Sequence, residues 1–175
     1  MKKPKTITYD DAMRISNYLS GQSKLIFDFS VESGLRISDI LNLKARYINK
    51  IIYVQESKTK KHKIVELSDG LFSRLRELAN HESRDQYAFH SRRSLYKPIH
   101  RSTYHRHLKR ACRALGVDFS AHSTRKLYAL HIFNTTGDIF EAQKALNHKY
   151  ITTTCSYLDI DLVKLLSTQA QKTLP

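Results

Sequence analysis

The order of apolar and polar positions divides the chain into helical stretches around one short β-rich interval. In TYDDAMRISNYLSG (8–21), Met13, Ile15, Tyr18 and Leu19 supply the apolar contacts of a helix; Asp10 or Thr8 stands as its cap and Gly21 as its end. SKLIFDFSVESG (23–34) predicts a second, more apolar helix that stops at Gly34, and ISDILNL (37–43) a short third one with Ile37, Ile40, Leu41 and Leu43 as its buried stripe. The pattern then changes. IIYVQ (51–55) and KIVEL (63–67) are β-branched runs separated by a hydrophilic SKTKKH turn. With ARYIN (45–49) before them they predict a small three-stranded antiparallel sheet. Helical patterns return at 70–80, 102–116, 123–137, 138–147 and 151–158, and a final amphipathic helix at 161–171 carries Leu162, Leu165 and Leu166 on one face. The fold class is α+β, mostly helical, with one small sheet.

Composition narrows the partners. A chain of 175 residues that is 41% hydrophobic and 26% charged has the makings of one folded domain with a sizeable core, not of a disordered segment. No apolar run approaches the ~20 residues of a membrane span, and the start, MKKPKTITYDD, has no apolar h-region. Cys112 and Cys155 lie 43 residues apart without a CxxC pairing, which fits two free thiols in a reducing cytosol. The charge is the informative quantity: 30 Lys plus Arg against 16 Asp plus Glu leave +14. That excess calls for a polyanion, and nucleic acid fits better than a membrane surface, because the basic segments lack an opposing apolar face. The cations are spread along the chain, with Lys58, Lys60, Lys61 and Lys63 in KTKKHK, then Arg92 and Arg93, then Lys109 and Arg110 in KRACR. Such a spread suits a folded surface that grips a DNA backbone.

Several residues could carry chemistry. Arg36, in GLRISDILNL, opens a helix after a glycine, where free backbone N–H groups favour an anion; the plainer reading is a surface pair with Asp39. His122 and Arg125, three apart in AHSTRKLYAL, can face one spot and suit a pair of phosphate oxygens, or merely cap a helix. The hairpin lysines either solubilise an edge or present one ammonium to a leaving oxygen; spacing does not select among them. His148 stands nine residues before Tyr157. A phenol with an ordinary pKa of about 10 needs surrounding cations or a base to become a nucleophile. His100, His105 and His107 do not read as a metal site, since a two-residue spacing on a helix points side chains apart.

Taken in order, the arginine of GLRxSD, a β-hairpin lysine, HxxR and a histidine nine residues before a tyrosine resemble the catalytic domain of the tyrosine recombinase (phage integrase) family, over about residues 8–171. The resemblance implies Arg36 and Arg125 as the phosphate-holding pair and His122 and His148 as the histidines. It makes Lys58 the general acid and Tyr157 the nucleophile that forms a 3′-phosphotyrosine, with no metal or other cofactor. It further implies double-stranded DNA as partner, a tetrameric synapse in which helix 161–171 docks in trans, and a cytoplasmic, nucleoid-associated location in a bacterial or phage-infected cell. Asn147 replaces the family's usual glycine and tolerates unusual backbone angles; Asp39 and STRK are further departures. With only about eight residues before the first helix, the chain reads as a single catalytic domain without the family's N-terminal core-binding domain, either excised or naturally compact. Type IB topoisomerase-like strand passage and a non-cleaving DNA-binding regulator are the alternatives.

Overall fold

A computed structural model describes residues 8–78 and 85–163. The chain divides into two compact units, residues 1–127 and 128–175.

In the first unit the helices are α1 (Tyr9–Tyr18), α2 (Gly21–Ser33), α3 (Ile37–Leu41), α4 (Asp69–Leu78), α5 (Arg101–Leu115) and the first turns of α6 (Ala121–Thr136). Thr8, not Asp10, caps α1, accepting from the Asp11 N–H at 3.1 Å. The helix stops at Tyr18, and Gly21, with φ of 52°, opens α2 instead of closing α1. α2 is the central helix, packed against α1, α3, α4 and α5. Its buried residues Ile26, Phe27, Phe29, Ser30 and Ser33 therefore occupy more than one side. The rings of Phe27 and Phe119 lie 5.6 Å apart and those of Phe29 and Phe89 6.5 Å, both tilted. Each fully buried phenylalanine contributes about 1.5–3 kcal/mol of apolar burial. Gly34 ends α2 in the left-handed conformation, as its position predicts.

The β interval differs from expectation. β1 (Ile51–Gln55) and β2 (His62–Glu66) form an antiparallel hairpin, but ARYIN adds no third strand. Residues Ala45–Tyr47 form a 3-10 turn in which Tyr47 N–H donates to the Lys44 carbonyl and Ile48 N–H to that of Ala45. Ala45 and Ile48 are buried while Arg46 and Tyr47 are exposed, a three-residue period where a strand would need two. A second hairpin, β3 (His90–Ser91) with β4 (Ser94–Pro98), has no counterpart in the sequence reading. β3 has only two residues, and β4 lacks the alternation of buried and exposed positions that marks β1 and β2.

In the second unit, α6 continues and is followed by α7 (Ile139–Ala145) and α8 (Ile151–Leu158). Ala129, Ile139, Ala142, Leu146, Cys155 and Leu158 form its core. The Asp138 side chain caps α7 through the Phe140 N–H at 2.8 Å. Cys112 and Cys155, one in each unit, are both free and buried. The predicted helix 161–171 lies outside the described residues beyond Val163.

Candidate active site

The first unit gathers its buried charges at the C-terminal end of α2. Once Gly34 has ended that helix, the carbonyls of Ser33 and Gly34 face its negative end, a natural seat for cations. Lys63 Nζ donates to the Ser33 carbonyl at 2.7 Å and Arg125 Nη1 to that of Gly34 at 2.5 Å. Arg36 follows Gly34 by two residues, as the N-cap of α3. Its Nη1 lies 2.6 Å from Glu56 Oε1, an ion pair without an aligned hydrogen bond. Arg125 Nη1 reaches the same Glu56 oxygen at 3.4 Å. The two arginines, far apart in sequence, thus converge on one carboxylate oxygen.

Strand parity puts Glu56 and Lys63 there. Ile52 and Val54 point inward on β1, and Glu56 continues their alternation beyond the strand's end. Opposite Val54, Lys63 shares the inward face of β2 with Val65. Glu56 is fully buried, and its Oε2 accepts from the Thr59 hydroxyl at 2.7 Å. Burial pushes its carboxyl up, but the Thr59 bond and the Arg36 and Arg125 cations outweigh it and hold the group below its ordinary value. Lys63 shifts the other way. Burial and the Arg125 and Arg36 charges lower its pKa to about 7, with Glu56 opposing them. Asp39 does not pair with Arg36. It is buried and accepts from both the backbone N–H (3.0 Å) and the hydroxyl (2.6 Å) of Ser57, tying the base of the hairpin turn to α3.

The other predicted residues of this unit lie on its exterior. Lys58, Lys60 and Lys61 are exposed on the turn between β1 and β2, so Lys63 alone of the four hairpin lysines points inward. The expectation of Lys63 as a peripheral DNA contact meets a side chain only 8% exposed. His122 is exposed in the first turn of α6, its N–H bonded to the Ser120 hydroxyl at 3.2 Å. Arg92 and Arg93, between β3 and β4, are exposed and line a cleft of about 730 Å³ with Lys97, His100, Arg106 and His107. Lys109 and Arg110 are exposed on α5. The histidines weighed as metal ligands have separate partners: His100 Nδ1 meets Ser102, His105 Nε2 accepts from Arg101 Nε, and His107 Nδ1 meets Ser23.

The second unit brings His148 and Tyr157 together. Asn147 adopts a left-handed φ of 55°, the role of the glycine it replaces, and turns the chain after α7. The His148 N–H then donates to the Gln143 carbonyl at 3.1 Å, while Gln143 Nε2 donates to the His148 carbonyl at 3.2 Å. One nitrogen of the imidazole, Nδ1, lies 3.0 Å from the buried Thr154 hydroxyl on α8. The His148 ring meets that of Tyr157 edge to face, with centroids 5.7 Å apart and planes at 89°. Tyr157 is half-buried at the penultimate position of α8, whereas Tyr150 is exposed.

Sequence reasoning missed Glu56 and the inward role of Lys63. The available signal was parity: an acid in phase with Ile52 and Val54, and a lysine in phase with Val65 and Leu67.

The chain belongs to the phage integrase family, which it matches over residues 5–162. It is 35% identical over 153 residues to the probable integrase/recombinase YoeC of Bacillus subtilis, covering 84% of each chain. It is 26% identical to the tyrosine recombinase XerA of Pyrococcus horikoshii, covering 90% of this chain but spanning only 57% of that relative. Among solved structures, a XerA recombinase superposes with a TM-score of 0.74 at 22% identity, over the whole of this chain and 67% of that one. A lambda integrase dimer bound to a COC′ core site gives 0.69 at 23% identity, over 89% and 49%. At these identities the two structures speak for the fold.

Proposed function

We propose that the chain is the catalytic domain of a site-specific DNA recombinase, a strand-transferase that cuts and rejoins duplex DNA through Tyr157. The observation that carries this reading is the convergence of Arg36 and Arg125 on one anionic oxygen, in a chain of the phage integrase family that also holds His148 against Tyr157.

In this reading Arg36 and Arg125 bind the non-bridging oxygens of the scissile phosphate and offset the charge that builds there in the transition state. The Tyr157 oxygen attacks phosphorus in line. The bond from phosphorus to the 5′ oxygen breaks, and that oxygen takes a proton from Lys58, leaving a 3′-phosphotyrosine and a 5′-hydroxyl. His122 and His148 donate hydrogen bonds to the phosphoryl oxygens or exchange the tyrosine proton. A hydroxyl of the partner strand reverses the step, so the linkage energy is conserved. Exposed Lys60, Lys61, Arg92, Arg93, Lys109 and Arg110 contact flanking phosphates of double-stranded DNA. Self-association on DNA into a tetrameric synapse, with the segment 161–171 docking in trans, completes the proposal, as does a cytoplasmic, nucleoid-associated site of action. The lambda integrase structures, a dimer on a core site and a tetramer on a Holliday junction, support that assembly by analogy.

The test is covalent capture. Incubated with a pool of nicked duplexes that cannot religate, the protein is expected to form a DNA adduct stable to denaturant, and Tyr157→Phe to form none. An adduct on the phenylalanine variant, or none with the wild type across the pool, would overturn the proposal.

A further inference from the structure

The two arginines do not merely approach Glu56. A single oxygen of it sets where both guanidiniums point. Arg36 and Arg125 reach Oε1 from α3 and α6, while Oε2 is held by Thr59. The backbone of the same residue closes the hairpin turn, its N–H donating to the Lys61 carbonyl at 2.9 Å and its carbonyl accepting from Lys60 at 2.8 Å. Three elements therefore meet on one side chain with no exposure to solvent. Without it, two guanidiniums and the Lys63 ammonium would be packed together without the carboxylate that offsets their charge. Arg125 is 5% exposed, but Arg36 is 21% exposed and its buried Nη1 makes no aligned hydrogen bond. The more exposed Arg36 is thus the guanidinium that an incoming anion can reach.

We infer that Glu56 is a positioning residue for phosphodiester cleavage, a built-in carboxylate that holds Arg36 and Arg125 converged for a phosphate before DNA arrives. The inference rests on the reading of these arginines as the phosphate clamp. Glu56 itself lies behind them, shielded from solvent, and is not displaced when DNA binds. Its charge has two consequences that a neutral side chain of the same shape would not reproduce. It keeps the guanidiniums directed at a common point, which favours the rate of reaction more than the affinity. It also weakens the positive potential felt by the phosphate, so it slightly opposes binding.

Three variants test this on the duplex captured from the nicked pool: Glu56→Gln, Glu56→Asp and, as the mildest, Thr59→Val. Glu56→Gln is expected to bind the intact duplex as tightly as the wild type or more tightly. Its adduct formation at saturating DNA is expected to fall roughly ten- to a hundredfold. Glu56→Asp, which retains the charge, should recover part of that loss, and Thr59→Val should lose about two- to fivefold, as expected for one freed hydrogen bond. An unchanged Glu56→Gln rate, a fall in rate matched by an equal fall in affinity, or no advantage of Asp over Gln would overturn the inference. A separate arm needs no cleavage: in the free protein, the carbon-13 titration of Lys63 should move to lower pH in Glu56→Gln, because Glu56 is its counter-charge. If the wild type forms no adduct, the recombinase reading fails; if instead the Lys63 titration does not move, the electrostatic role of Glu56 fails independently.

Discussion

His148 stands edge-on to Tyr157, with ring centroids 5.7 Å apart and planes at 89°, and its Nδ1 lies 3.0 Å from the Thr154 hydroxyl. The imidazole is thus oriented from the same helix that carries the proposed nucleophile. An edge-to-face pair of this kind contributes about 0.5–1.5 kcal/mol, enough to fix one ring against another.

Thr154→Val is expected to release that orientation while leaving the fold intact. Loss of one buried hydrogen bond costs about 1 kcal/mol of stability. Adduct formation should fall by roughly tenfold if His148 must hold its angle to Tyr157. Single-turnover adduct assays beside denaturant melts separate the two effects.

Lys63 predicts a pH dependence of stability. Its folded pKa is about 7 against 10.5 for an unperturbed lysine, a depressed value for a cationic group. Between those values the unfolded chain binds more protons, so this residue's contribution makes stability rise with pH from about 7 to about 10.5. Below pH 7 both states are protonated and the cost is complete. Lys63→Met removes this slope. Denaturant unfolding at a series of pH values should therefore show the wild type gaining on the variant from pH 7 upward, with a constant difference below it.

Arg125 and Arg36 should differ as structural elements although both meet Glu56. Arg125 is 5% exposed, and replacing it by Met leaves a fully buried carboxylate short of a partner, at a cost of about 3–5 kcal/mol. Arg36, 21% exposed, should cost less. Arg125→Met combined with Glu56→Gln should be less destabilising than the sum of the single changes, as a double-mutant cycle in urea would register.

Lys58 and Lys63, two of the four hairpin lysines, can be told apart by the leaving group. Lys58 is exposed on the turn, while Lys63 is buried against Ser33. A 5′-thiolate leaves without needing a proton. A duplex with sulfur at the bridging position should therefore restore cleavage to Lys58→Ala and not to Lys63→Met. The reverse pattern would move the proton donor to Lys63.

The local signals carried far. Gly34 at the end of α2, the β1–β2 hairpin and the α8 span follow from helical spacing, β-branched runs and the freedom of glycine, all written in neighbouring residues. The sequence also placed Arg36, Arg125 and Tyr157 in their elements and showed at 147 an asparagine, a residue that tolerates unusual backbone angles; it adopts a left-handed φ. It misread ARYIN, because an adjacent aromatic and β-branched residue, Tyr47 and Ile48, look alike in a strand and in a 3-10 turn. What separated the two was the burial of Ala45 and Ile48, including the bond from Ala45 N–H to the Gln86 carbonyl 41 residues away.

What the sequence determined by itself was the list of charged side chains and the secondary structure that carries them. What only the tertiary structure decided was their pairing. Arg36 has Asp39 nearby in sequence, yet Asp39 goes to Ser57 and Arg36 to Glu56. The physical reason is that a buried charge takes the partner that packing brings within reach once water is excluded, and sequence separation has no bearing on that distance. Parity along β1 and β2 turned Glu56 and Lys63 inward, the end of α2 supplied carbonyls for two cations, and only their meeting made one carboxylate the common anchor of both arginines.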